Sequence, residues 1–223
     1  MLIRPITRQA NKESARRSTL HLTQISHQQH PNTKSAKGKV ISKNLQVYIN
    51  LKKMLQPDTY CIIGLDLAGL DKNPSGIASL KRKNVQTKLT YTDEQIIENI
   101  ENNKPSLIAI DAPLSFPKSG FSRSADRQMI KHGYRVLPPN FPHMKELTQR
   151  AVKLKTLLTQ KKFRTIEVHP TSTRKALQIL PPKDWRTIQE KLKQIELKGT
   201  LQTQTLLNHE IDAIHAALTA KLY

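Results

Sequence analysis

The chain has a single cysteine, few aromatic residues and no long apolar run. Its one cysteine, Cys61, excludes an intrachain disulfide and a zinc site built from cysteines. No apolar stretch approaches the roughly 20 residues that cross a bilayer, and the N-terminus has no apolar secretory segment. These absences predict a soluble protein in a reducing, cytoplasmic environment, with no membrane partner.

Acidic residues are also scarce, and positive charge dominates the chain. The 223 residues include 37 Lys and Arg against 17 Asp and Glu, a formal net charge of +20. This balance favours an acidic partner, and nucleic acid fits better than a membrane because no strong basic amphipathic helix is present. An unusually basic surface on an otherwise ordinary protein is the alternative. The sequence predicts no oligomeric state.

Residues 1–55 are rich in basic and small polar residues and poor in large apolar ones. Such a segment cannot bury a core of its own, so we predict a flexible, basic N-terminal arm. An upstream extension before a start at Met54 explains the segment as well. A transit peptide is less favoured because no amphipathic Arg-rich helix is visible. Residues 56–223 are predicted to form one domain.

Hydrophobic patterning from residue 60 onward predicts an α/β fold. The continuous apolar run CIIGLDL and a hairpin around Lys83 and Asn84 predict three antiparallel strands. A helix capped by Thr92 leads to SLIAIDAP, a strand that should return parallel to the first. A short helix ending at Gly133 follows, and then a helix over about 141–161. The parallel strand RTIEVHP and terminal helices complete the chain.

This order of elements is that of the ribonuclease H fold. We therefore predict a five-stranded mixed sheet, with three antiparallel strands and then two parallel ones, flanked by helices. In that architecture the first and fourth strands lie side by side. The last helix would reach the same edge of the sheet.

Four carboxylates stand where predicted strands or helices end: Asp66, Asp111, Glu167 and Asp212. An ionised carboxylate directly after an apolar run needs a partner, because burying it unpaired costs several kcal/mol or more. A divalent metal is the simplest such partner. Two Mg²⁺ or Mn²⁺ ions about 4 Å apart, held by these four acids, would suit phosphodiester hydrolysis, whose transition state adds charge to phosphate oxygens.

Each of these acids also has a purely structural alternative. Asp66 and Asp111 could each cap a turn. Glu167 could pair with a nearby arginine, such as Arg164 or Arg174. Asp212 could be a solvated position on a helix. The set of four, rather than any one residue, is what indicates a metal site.

Substrate-binding candidates follow the fourth strand. Arg123 and Arg127 lie one helical turn apart and could clamp a phosphate, with Asp126 orienting one of them. Arg135 belongs to the same segment, and a surface ion pair is the alternative for the group. His169 comes two residues after Glu167, on the same face of the last strand, and would support the acidic cluster.

Several segments resemble a known family. GLDLAG, SGIASL, IAIDAPLSFP, SADRQMIKHGYRVLPP, IEVHP and HEIDAIHAALTAKLY are similar to the family catalogued as domain of unknown function 429, over about residues 60–223. The resemblance implies a nuclease with a ribonuclease H fold. HEIDAIHAAL also resembles the last helix of Holliday-junction resolvases of the RuvC kind. By that match Asp212 is a metal ligand and His209 a second ligand or proton carrier, although those resolvases carry Glu where this chain has Asp111.

The sequence therefore predicts a metal-dependent nuclease acting on DNA or RNA. One alternative is a nonenzymatic nucleic-acid-binding protein in which the acids are structural. A less favoured alternative is a phosphotransferase or ATPase of the actin-like superfold. That superfold needs two duplicated domains, and the sequence shows no internal duplication.

Overall fold

A mixed β-sheet organises residues 60–179 and 184–223, the part of the chain that the computed structural model describes. The predicted arm, residues 1–55, lies outside this part. The strands are β1 (Cys61–Asp66), β2 (Ser75–Lys81), β3 (Asn84–Thr90), β4 (Leu107–Asp111), β5 (Thr165–Glu167) and β6 (Lys198–Gly199). The helices are α1 (Asp93–Asn103), α2 (Ser124–Lys131), α3 (Pro142–Gln160), α4 (Pro170–Ala176), α5 (Trp185–Gln194), α6 (Thr200–Thr203) and α7 (Asn208–Leu222).

β1 and β4 lie inside the sheet, whose strand order is β5-β4-β1-β2-β3-β6. β1, β2 and β3 are antiparallel neighbours, whereas β4 runs parallel to β1 and β5 runs parallel to β4. The predicted succession of three antiparallel strands and two parallel ones is confirmed. The apolar sequences of β1 and β4 fit this position because both strands are covered on both faces.

The predicted count of five strands is wrong, because the described residues add a sixth at one edge. β6 pairs in parallel with β3 over two residues only, too few to show any hydrophobic alternation in the sequence. The fifth strand is also shorter than RTIEVHP. It ends at Glu167 because Pro170, which has no N–H to donate, begins α4 with His169 as its N-cap.

The predicted helices are confirmed with small shifts at their ends. Thr92 caps α1, and its hydroxyl accepts a hydrogen bond from the backbone N–H of Gln95 at 3.3 Å. α3, over Pro142–Gln160, is the helix predicted over about 141–161. Gly133 follows α2 with a φ of +79°, a backbone conformation that favours glycine. None of the described helices is long and apolar enough to span a membrane.

Side chains of β1 alternate between two helical layers. Ile63 and Leu65 are fully buried in a core shared with α1 and α3. Gly64 and Asp66, at the alternate positions, face α7 on the other side of the sheet. The apolar face of α7 forms a second core with β2, β4, α5 and the segment that follows α4. Asp66 thus meets α7 where β1 ends.

Two glycines let α7 approach the sheet closely. A Cβ added to Gly64 would lie 2.0 Å from the carbonyl oxygen of Ala213, and one added to Gly76 would lie 2.0 Å from the carbonyl oxygen of His209. Any larger residue would push the helix away. Gly76 pairs with Asp66 across β1 and β2, so this close packing fixes the first turn of α7 beside the end of β1.

Candidate functional site

Asp66 and Asp111 end neighbouring parallel strands. The strand register pairs Asp66 directly with Asp111, and the residues before them, Leu65 and Ile110, are fully buried. Both acids are partly exposed where their strands leave the core. The prediction that the first and fourth strands bring these two residues together, at the carboxyl ends of neighbouring strands, is confirmed.

The N-terminal half of α7 brings two more groups to this edge. Nδ1 of His209 lies 2.7 Å from Oδ2 of Asp66. This hydrogen bond raises the pKa of His209 above its ordinary value, although burial opposes the shift. Asp212 follows one helical turn later, and its charge acts on both His209 and Asp111. The structure therefore gathers three of the four predicted acids and the predicted histidine.

Asp111 is the least compensated acid of this group. Among the residues that the structure describes, none donates a hydrogen bond to its carboxylate. Burial raises the pKa of Asp111 well above its ordinary value, and the charges of Asp66 and Asp212 raise it further. Arg174 acts in the opposite direction but does not cancel them. A carboxylate in this position binds a proton or a cation more readily than a fully exposed carboxylate does.

Asp212 already has a cationic partner. Nη1 of Arg174 donates a hydrogen bond to Oδ1 of Asp212, and the arginine side chain is only 2% exposed. Burial nevertheless raises the pKa of Asp212, with the charge of Asp66 adding to the effect and Arg174 opposing it. Asp212 is therefore a member of the cluster and not a solvated helix position.

The carboxylate of Glu167 accepts hydrogen bonds from an arginine side chain and from a backbone N–H. Nη1 and Nη2 of Arg123 donate hydrogen bonds to its two carboxylate oxygens at 2.6 and 2.5 Å, and the backbone N–H of Leu114 donates another at 2.8 Å. Asp126 holds the same guanidinium at 2.6 Å and accepts the backbone N–H of Arg123 at 2.7 Å. Asp126 thus orients Arg123, as predicted, but the guanidinium binds Glu167.

The structural alternative, an ion pair between Glu167 and an arginine, is confirmed, but the arginine is neither of the two that were suggested. The glutamate pairs with Arg123, and Arg174 pairs with the acid of α7 instead. Arg164, the other arginine considered, is exposed. Glu167 pairs with Ile110, the residue before Asp111, in the register of β4 and β5, and its side chain is 34% exposed, so it lies at the rim of the cluster.

The remaining substrate-binding candidates lie further out. Arg127 is exposed and donates a hydrogen bond to the carbonyl oxygen of Ser122 at 2.7 Å, and Arg135 is exposed as well. His169 is partly buried, with Nδ1 2.7 Å from the hydroxyl oxygen of Ser172. Burial and the nearby charge of Arg174 lower the pKa of His169. His169 therefore supports the start of α4. The guanidinium of Arg123 binds Glu167 and Asp126, whereas that of Arg127 binds the carbonyl oxygen of Ser122, so the phosphate clamp by these two arginines stays a prediction.

The oxygen donors at Asp66 and Asp111 fit a hard divalent cation. Within residues 60–179 and 184–223, no three acidic, histidine or cysteine side chains already stand as a metal cage. Yet one oxygen of Asp66 and both oxygens of Asp111 accept no hydrogen bond from a described residue. Carboxylate oxygens are the ligands that Mg²⁺ and Mn²⁺ prefer, so this pair suits such an ion.

The position of Arg174 in the site was not predicted from the sequence. The buried face of α4 includes Thr173, Arg174 and Ala176, and an arginine within an otherwise apolar or small helical face is the signal that indicates a buried cation. Trp185 covers the guanidinium, with its ring centroid 5.1 Å from the central carbon. That contact joins residues on two helices and cannot be read from spacing.

Comparisons with known proteins add no further assignment. No protein-family model matches the chain, and no curated protein matches it. The resemblance to domain of unknown function 429, and the activity that it implies, therefore stay predictions.

Proposed function

We propose that this chain is a metal-dependent nuclease that hydrolyses phosphodiester bonds in DNA or RNA. The observation that carries the proposal is Asp111, a carboxylate that lies beside Asp66, within the field of Asp212, and without a donor among the described residues. Such a site strongly favours a bound cation over bare carboxylates. The strand order and pairing directions support a ribonuclease H-like fold.

In this proposal Asp66 and Asp111 hold magnesium or manganese, and Asp212 completes the acidic cluster. A divalent ion supplies an activated water and stabilises charge on the phosphate oxygens. His209 is oriented through Nδ1 by Asp66, and once it is protonated on both ring nitrogens it can donate the Nε2 proton to the leaving oxygen. Glu167 acts by fixing Arg123 at the edge of the site.

The proposed substrate follows from the charge of the chain. A net charge of +20 attracts a polyanion to the chain. Arg127 and Arg135 are exposed on the segment between β4 and α3, where they can contact phosphates of a bound nucleic acid. We propose nucleic acid as the partner and the cytoplasm as the location.

The test is metal-dependent cleavage by matched variants. Wild-type protein should cleave at least one substrate of a panel of branched, single-stranded and RNA–DNA hybrid oligonucleotides when Mg²⁺ or Mn²⁺ is present. Asp66→Asn and Asp111→Asn should each reduce the rate at least about 100-fold without unfolding. Asp71→Asn is the control, since Asp71 is an exposed acid close to the end of β1. Unchanged cleavage by Asp66→Asn would refute the proposal.

One observation favours a nonenzymatic nucleic-acid-binding protein instead: Glu167 and Asp212 both bind arginines, as structural acids do. This alternative predicts nucleic-acid binding that weakens steeply with salt and does not respond to Mg²⁺ at constant ionic strength. The actin-like alternative gains nothing, because the described residues form one sheet and no second domain. Saturable ATP binding in a calorimeter would revive it.

A further inference from the structure

Arg174 is held rigidly inside the acidic cluster. Its Nη1 binds Asp212, its Nη2 donates to the hydroxyl of Thr171 at 3.1 Å, and Trp185 lies over the guanidinium at 5.1 Å. The side chain is 2% exposed, and its buried Nε–H has no partner among the described residues. An arginine enclosed in this way cannot turn out to solvent when a cation binds.

The positive charge of Arg174 neutralises Asp212 through the direct hydrogen bond that Nη1 donates to Oδ1. Arg123 provides the same neutralisation for Glu167 at the rim. Both arginines are fixed by neighbouring groups, so they belong to the folded site whether or not a metal is bound.

The charges then balance for one divalent ion. With His209 neutral, Asp66, Asp111 and Asp212 together carry three negative charges, of which Arg174 neutralises one. A single divalent cation neutralises the remaining two. A second divalent ion would leave the cluster with excess positive charge and would have to displace a buried guanidinium from Asp212, which strands that guanidinium without a counter-ion.

We propose that the site binds one divalent ion, between Asp66 and Asp111, and that Arg174 takes the place of a second ion as a fixed positive charge on Asp212. This inference rests on the proposed metal-dependent function and replaces the two ions predicted from the sequence. Arg174 is then a positioning residue for the cluster and provides a permanent charge near the phosphate.

Calorimetric titration of the full chain with Mn²⁺ at pH 7.5 tests the inference. Wild-type protein should bind one ion per chain. Asp66→Asn and Asp111→Asn should each weaken binding at least about 100-fold, whereas Asp212→Asn should weaken it no more than about tenfold, because an amide oxygen still accepts the hydrogen bond from Arg174. Arg174→Lys keeps the charge and should still bind one ion. Arg174→Met removes it and should bind two.

Two ions on the wild-type protein would overturn the inference and leave the nuclease proposal standing. No Mn²⁺ binding at all would overturn both. A single ion on folded Arg174→Met would also overturn the inference, because something other than the arginine would then limit the site. If Arg174→Met does not fold, the wild-type stoichiometry and the small effect of Asp212→Asn still decide the question.

Discussion

Two buried arginines lie among acids in this molecule, and they differ in how completely their partners are satisfied. In α3, Arg150 donates from Nε to Asp93 at 2.8 Å, from Nη1 to the carbonyl oxygen of Ala68 at 2.9 Å and from Nη2 to that of Tyr91 at 2.7 Å. Asp71 adds a further contact at 2.9 Å. Arg174, in contrast, leaves Nε unpaired, and the nearby Asp111 has no described donor.

This difference separates a structural centre from a candidate functional one. Arg150 and its partners connect the segment after β1 to the start of α1 and to α3. Each of the three guanidinium nitrogens of Arg150 has an acceptor. The cluster around Asp111 instead holds mutually repelling carboxylates with open oxygens. Proteins retain incompletely satisfied buried groups mainly where a ligand completes them. The comparison therefore predicts opposite responses to mutation.

The largest effect on stability should come from the structural centre. Arg150→Met leaves Asp93 buried without its cation and removes hydrogen bonds to two backbone carbonyls, so it should lower the free energy of unfolding by about 3–5 kcal/mol. Urea denaturation measures the change. Lys161→Met is the control, because its ion pair with Glu101 is exposed and should contribute less than about 1 kcal/mol. Similar losses of unfolding free energy in both variants would contradict a special structural role for Arg150.

Added Mn²⁺ should stabilise the folded protein through the candidate site, and the gain should not depend on the acids around Arg150. At a free concentration ten times the dissociation constant, the ion should raise the free energy of unfolding of wild-type protein by about 1.4 kcal/mol. Asp111→Asn should lose this gain and Asp71→Asn should keep it. Denaturation curves with and without Mn²⁺ provide the measurement, and equal gains in both variants would place the ion elsewhere.

Without metal, Asp111→Asn should stabilise the protein by about 1 kcal/mol near pH 7, because it removes an uncompensated carboxylate. Burial and neighbouring charges raise the pKa of Asp111 in the folded state. Below the unfolded pKa near 4 the carboxyl is neutral in both states and has no effect. As pH rises, the unfolded state loses its proton first, so wild-type stability falls until the folded carboxyl ionises too. Denaturation at several pH values should show the variant's advantage vanish towards pH 3.5; an advantage that persists there would contradict this origin.

The smallest effect concerns His209. Its hydrogen bond to Asp66 raises the pKa of His209 above 6.5, so the imidazolium contact should stabilise the fold at low pH and weaken as pH passes the raised pKa. The side chain is 35% exposed, which limits the contribution to a few tenths of a kcal/mol. NMR titration should show the raised pKa in wild-type protein and a fall in Asp66→Asn. An unchanged pKa in that variant would exclude Asp66 as the cause.

Much of the sheet could be predicted because its strands carry local signals. The continuous apolar runs of β1 and β4 identify buried parallel neighbours, and that arrangement alone places Asp66 beside Asp111. Thr92 and Gly133 mark helix ends through short-range backbone chemistry. β6 could not be predicted, because two residues at a sheet edge show no periodicity.

The partners of the acids could not be predicted, because they depend on contacts between elements distant in sequence. Arg123 reaches Glu167 across 44 positions, and Arg174 reaches Asp212 across 38. Which arginine meets which acid follows from how α2, α4 and α7 pack around the sheet edge. The sequence therefore identified the acidic cluster but not the two guanidinium groups that neutralise part of it.

A crystal structure of the protein soaked with Mn²⁺ tests the central claim most directly. Anomalous scattering locates manganese without reference to any expected coordination. The account predicts one strong peak bonded to carboxylate oxygens of both Asp66 and Asp111, with Arg174 still on Asp212. Fully occupied crystals with no peak at this edge of the sheet, or with manganese bound only elsewhere, would contradict it.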